Sequence, residues 1–178
     1  MRKLKTIELK RLSIEEYHQA IKNPLVVLLD NVRSAYNVGS VFRTADAFGV
    51  QELILCGISP CPPHKEIYKT AIGAENSVKW TYEEKILNSV ISLKAEGYTI
   101  VGVEQTSNSV SMQNYNWEKG TKFALVFGNE VDGISEEILE LCDFFIEIPQ
   151  FGTKHSLNVS VAAGVVIWDL VKKLTYEK

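Results

Sequence analysis

Leu25-Val26-Val27-Leu28-Leu29 is an unbroken run of five apolar residues that stops on Asp30 and Asn31. A strand with one wet face alternates apolar and polar residues. A run without alternation belongs to a strand covered on both faces, as in parallel sheets whose crossover helices lie on either side. The rest of the chain follows the same grammar. A helical stretch from Val38 to Phe48 precedes a strand at Glu52–Leu55, and Pro60, Pro62 and Pro63 consign residues 57–64 to a loop. Ile86, Leu87, Val90, Ile91 and Leu93 recur at helical spacing, with Gly97 where that helix should stop. Strands follow at Tyr98–Val103 and Phe123–Phe127, separated by a polar stretch to Thr121. Ser135 before Glu136 and Glu137 marks a helix start, Phe144–Ile148 reads as the last strand, and Ser156 to about Leu174 as the last helix. Strands alternating with helices predict an α/β domain with a parallel sheet between helices.

A length of 178 residues suits one domain, and hydrophobic and charged fractions of 46% and 23% exclude a disordered chain or a rod. No internal repeat or linker divides it. No apolar run nears the roughly 20 residues that cross a bilayer, and the Met1-Arg2-Lys3-Leu4-Lys5 start lacks the apolar segment of a signal peptide. The expectation is a soluble, cytoplasmic protein without a membrane partner. Cys56, Cys61 and Cys142 are an odd set at unpaired spacing, read as reduced structural thiols rather than disulfides or a zinc site. The net charge of −3 is uneven: residues 1–12 carry five Lys or Arg against Glu8. This suggests a short basic arm over residues 1–24, followed by the domain over 25–178. Such an arm can meet phosphates, or it can be a solvated terminal turn. Val159–Trp168 is apolar on nearly every side, so its helix should be buried by its own domain or by another subunit.

Dinucleotide, P-loop and nucleophile-elbow signatures are missing, and His18, His64 and His155 form no metal-ligand pattern, so no metal is expected. Three polar islands remain, each directly after an expected strand, where open α/β sheets bind ligands. The first runs from Asp30 to Arg43. In it Asn37 can cap the helix, Gly39 allows a backbone or ligand to come close, and Arg43 can reach a phosphate or substrate oxygen. Its plain alternative is a capped helix with an exposed Arg. The second, Phe127 to Gly133, brackets Asn129, Glu130 and Asp132 between glycines, or is simply a Gly-rich turn. The third, Ile148 to Ser160, either caps a helix with Ser156 or Asn158 or carries polar function at an otherwise apolar helix start.

In this order and at these separations the islands resemble the SpoU/TrmH family of RNA ribose 2′-O-methyltransferases. Asn37-x-Gly39-x-x-x-Arg43 is similar to its first motif, Gly128-Asn129-Glu130-x-x-Gly133 to its second, and Ser156-Leu157-Asn158-Val159-Ser160 to its third. Lys69-Thr70-Ala71-Ile72-Gly73-Ala74 resembles an intermediate segment, and the likeness spans roughly residues 24–172. It implies a SPOUT fold with a C-terminal trefoil knot, a homodimer, S-adenosylmethionine as cofactor, and tRNA or rRNA as substrate. Cofactor contacts would fall at Glu104, Gly128, Ile148 and Leu157, with backbone rather than the side chain acting at 104. Arg43, Asn37, Glu130, Ser156 and Asn158 would form the catalytic set, the last four fixing Arg43 and the loops, while Arg33 and Arg43 would face RNA. Phe151 stands where the family usually has Met and should reshape the adenosine pocket; the separate N-terminal RNA-binding domain of larger relatives is not expected, and residues 1–24 offer only a short arm. A base-methylating SPOUT enzyme and a catalytically inactive RNA-binding homologue are the competing readings.

Overall fold

The computed structural model describes residues 1–175, the side chains of Thr6 and Ile7 excepted, so the last three residues of the expected domain lie outside it. In chain order the elements are α1 (Ile14–Gln19), β1 (Asn23–Asp30), α2 (Ala35–Ala47), β2 (Val50–Cys56), α3 (Lys65–Ala71), α4 (Ala74–Ser77), β3 (Trp80–Glu83), α5 (Ile86–Ala95), β4 (Tyr98–Val103), β5 (Val110–Ser111), β6 (Lys122–Phe127), α6 (Glu136–Leu139), β7 (Phe144–Glu147) and α7 (Val159–Thr175). The seven strands form one sheet in the order β3-β2-β1-β6-β4-β7-β5, and every pairing is parallel.

The apolar run at 25–29 explains the layering. Leu25, Val27 and Leu29 point into a core shared with α2, α3 and α7, while Val26 and Leu28 point into a second core beneath α5 and α6. All five are at most 1% exposed. At roughly 1.5–3 kcal/mol for each fully buried large aliphatic side chain, β1 is a main anchor of the domain.

Two expectations about helices change. The first long helix starts at Ala35, not Val38, and Ser34 caps it: its Oγ accepts from the Asn37 N–H at 3.3 Å. Asn37 therefore lies inside the first turn, and its amide is free for longer-range bonds. The last helix begins at Val159 rather than Ser156. Asn158 caps it, its Oδ1 accepting from the Ser160 N–H at 2.9 Å, while Ser156 and Leu157 stay in the loop. That helix is also covered on one side only. Val166, Ile167 and Leu170 are fully buried, but Val161 is 50% and Trp168 46% exposed. Strands β3 and β5 and helices α1, α3 and α4 are short elements whose few residues carry no readable period.

Candidate functional site

Strands β1, β6, β4 and β7 are neighbours, so their C-terminal ends bring the polar islands to one edge of the sheet. A cavity of about 420 Å³ opens there, lined by segments 103–105, 127–133 and 146–150 and by the start of α7. Glu104, Gly128, Ile148 and Leu157 all line it, as do Glu130, Ser156 and Asn158.

The islands are stitched together by side chains. Asn37 donates from Nδ2 to Glu130 Oε1 at 2.8 Å, and Asn158 donates from Nδ2 to Asn37 Oδ1 at 3.1 Å. Glu130 Oε2 also accepts the Arg33 N–H at 3.2 Å. Loss of solvation raises the Glu130 pKa. The backbone N–H groups of Glu130 and Arg33, the Asn37 amide and the Ser34 backbone outweigh it and hold the carboxyl below its ordinary value. Arg33 leans on Asp132 at 3.5 Å, an exposed pair of little energetic weight.

The second island is a tight hairpin. Asn129 and Gly133 exchange backbone bonds at 3.0 and 3.2 Å, and Asn129 Oδ1 accepts the Val131 and Asp132 N–H groups. A Cβ on Gly128 would stand 2.0 Å from the Gly133 carbonyl carbon, so only glycine fits this crossing. Gly133 itself has φ +71°. The exit of the hairpin is pinned by Asp30, fully buried, whose Oδ2 accepts both the N–H and the Oγ–H of Ser135 at 2.7 and 2.6 Å. Asn31 completes the set by donating to Asp30 Oδ1 at 2.8 Å.

Glu104 departs from expectation, because its side chain is engaged. Oε1 accepts the Gln105 N–H at 2.9 Å and Oε2 the Ile134 N–H at 3.3 Å, linking the β4 loop to the hairpin. Gln105 donates to the His155 carbonyl at 2.8 Å and so secures the third island. Phe151 is 98% exposed and does not line the cavity. Arg43 stands apart too: it is exposed on α2 and lines a second concavity with Lys69 and Thr70, without contact to the Asn37–Glu130–Asn158 chain.

Sequence reasoning passed over Asp30, Gln105 and Glu147. A carboxylate directly after five apolar residues was a signal for Asp30, since a buried charge there needs partners. Glu147 lines the cavity with Glu104 and Glu130, and among the described residues no Lys, Arg or His joins them. Among the described residues no group of three or more His, Cys, Asp or Glu is placed to hold a metal, and no helix is long and apolar enough to cross a membrane.

Residues 24–168 match the model of the SpoU rRNA methylase family. The chain is 36% identical over 167 residues to a tRNA (guanosine(18)-2′-O)-methyltransferase of Aquifex aeolicus, covering 90% of this chain and 74% of that one. It is 34% identical to the 23S rRNA (guanosine-2′-O-)-methyltransferase RlmB of Neisseria meningitidis, over 81% of this chain but 56% of the relative. A TrmH family relative from Staphylococcus saprophyticus is likewise matched over only 59% of its length. The crystal structure of the A. aeolicus TrmH/SpoU tRNA modifying enzyme superposes with a TM-score of 0.79 at 28% identity, covering 90% of this chain and 81% of that one. The ordered motifs, the strand-end cavity they build and these matches agree: the chain belongs to the SpoU rRNA methylase family.

Proposed function

We propose that this protein transfers a methyl group from S-adenosylmethionine to a ribose 2′-hydroxyl of tRNA or rRNA. The observation that carries the reading is the cavity itself, lined by the second and third family motifs, to which Asn37 of the first is hydrogen-bonded, and by three carboxylates without a basic side chain among the described residues. When bound, the cofactor supplies an electrophilic methyl group on a cationic sulfonium. Glu104, Glu130 and Glu147 give that cation a favourable field. Gly128 lets the Gly133–Ile134 backbone close against it and form the cavity wall, and Ile148, Leu157 and Val159 offer apolar contact.

The hydroxyl is a weak nucleophile that must shed its proton, to solvent water, as its oxygen bonds to the methyl carbon, the methyl–sulfur bond breaks and S-adenosylhomocysteine leaves. Arg43, a permanently charged guanidinium with no lone pair to offer, is a poor acceptor but a good anchor for a phosphate oxygen beside the reacting ribose, which orients the hydroxyl. Asn37, Glu130 and Asn158 hold the loops around the cavity, Ser156 stands at its rim, and Arg33 faces the RNA side.

Three finer features belong to this reading. The C-terminal segment forms a trefoil knot. After β7, on the far side of β4, the chain returns across the strand ends so that α7 can pack against α2, a path that supports threading. The protein is a homodimer, which would cover Val161 and Trp168 on α7. Residues 1–24 act as a basic RNA-contacting arm, and residues 25–178 carry the methyltransferase. Three free cysteines suit the reducing cytoplasm. Incubation with methyl-labelled cofactor and separated tRNA and rRNA fractions tests the activity. Label should enter one fraction in proportion to enzyme; absence of label from both would overturn the reading.

A further inference from the structure

The concavity on the outer face of α2 has a chemistry opposite to that of the strand-end cavity. Arg43 and Lys69 line it together with the hydroxyl residues Ser40, Thr44 and Thr70, and among the described residues no carboxylate does. Among the described residues neither cation forms an ion pair. Lys69 instead reaches the Tyr36 hydroxyl at 3.3 Å and lies 5.7 Å from the centre of that ring. Two unpaired cations sharing one hollow repel, and a bound anion would remove that repulsion.

The sequence builds this juxtaposition deliberately. Gly39 lets α3 approach α2 so closely that a Cβ there would meet Thr70 Oγ1 at 2.2 Å and the Ile67 carbonyl oxygen at 2.5 Å. Thr70 then donates to the Tyr36 carbonyl at 3.0 Å and fixes the turn that carries Lys69. Directly beyond, Ile72 holds φ +52° with its side chain 66% exposed. A β-branched residue in the left-handed region is an outlier that surrounding structure must enforce. Tyr36 precedes Asn37, and Arg43 follows it by six residues, about 9 Å along the helix axis. The cationic hollow thus lies on the helix whose first turn reaches the acidic cavity through the Asn37–Glu130 bond.

We infer that Lys69 is a substrate-positioning residue which, with Arg43, seats one phosphate of the RNA strand. This rests on the RNA reading above and adds to it a residue and a subsite. Arg43 supplies a bidentate fork and Lys69 a point charge, so the phosphate is gripped from two directions. Release of its counterions makes the contact salt-dependent.

The test is binding of fluorescently labelled bulk tRNA by anisotropy across a salt series, with cofactor titration on the same preparations. Lys69→Gln should weaken tRNA binding about three- to tenfold near 100 mM salt. It should also flatten the slope of log K against log salt by about 0.7–0.9, the value of one phosphate contact. Lys69→Arg should restore both. Lys85→Gln, which removes an equal charge at the start of α5 beneath the other core, should change neither. Cofactor affinity should stay within twofold throughout, which shows each variant folded. Lys69→Gln indistinguishable from Lys85→Gln would overturn the phosphate seat alone. Wild-type protein that bound neither this tRNA nor labelled rRNA in the same assay would overturn the RNA reading and the seat with it.

Discussion

Gly128→Ala probes the cavity at its tightest point. The new methyl would stand 2.0 Å from the Gly133 carbonyl carbon, 2.2 Å from the Ile134 nitrogen and 2.3 Å from the Gly133 oxygen. Ordinary contact begins near 3.4 Å, so backbone must retreat by about 1.4 Å. Every clashing atom is main chain, and none can swing aside like a flexible side chain. The segment is held at Asn129–Gly133, at Ile134–Glu104 and at Ser135–Asp30, so retreat breaks bonds on both sides of the hairpin. Overpacking typically costs about 1–3 kcal/mol, and a lost hydrogen bond about 0.5–1.5 kcal/mol. A total of about 2–4 kcal/mol should lower Tm by roughly 5–15 °C in a protein of this size. Calorimetry should show cofactor affinity falling at least tenfold, because the displaced backbone lines the cavity. Gly152→Ala, in the third island with nothing within 4 Å of its added carbon, is the control and should be near neutral. If Gly128→Ala melted and bound cofactor like wild type, the hairpin would not be the rigid wall described.

Asn37→Ala removes the bond to Glu130 and the acceptor for Asn158, so it should cost about 1–3 kcal/mol in chemical denaturation and cut turnover more than cofactor affinity. Glu130 is depressed in the folded state, so its stabilisation is present above the ordinary Glu value of about 4.3 and fades as pH falls below it. Glu130→Gln should flatten that acid limb in urea melts recorded from pH 6 down to 3. Arg43→Ala should reduce single-turnover methylation by about 10²–10³ while cofactor binding stays within a few-fold, and Arg43→Lys should rescue poorly. Equal loss of both would move Arg43 from the RNA side to the cavity. A single monomer mass at every concentration in sedimentation would contradict the dimer.

The sequence was most informative where one period or one residue type had a single physical meaning. The five-residue run at 25–29 could only serve a doubly covered strand, and it feeds two cores. Gly39 marks a point of close approach, and α3 fills it. What stayed hidden was what depends on distant chain segments. Ser34 and Asn37 are both good caps, and only the position of Glu130, 93 residues from Asn37, shows why the serine caps and the asparagine does not. The Glu104 carboxylate could not be assigned before Ile134 was placed beside it. Nor could the two-residue β5 be seen, since it exists by pairing with β7. Apolar content could not say what covers α7: this chain covers one side and leaves Val161 and Trp168 exposed, because composition records what a helix can bury and not what covers it.

The chemical position of the transferred methyl group tests the central claim most directly. RNA methylated by this protein with labelled cofactor would be digested to nucleosides, and a parallel sample hydrolysed in alkali. A 2′-O-methyl group removes the hydroxyl that attacks the neighbouring phosphate, so the label should appear in an alkali-resistant dinucleotide and in a ribose-methylated nucleoside. Label recovered on a base, in alkali-labile mononucleotides, would contradict the account.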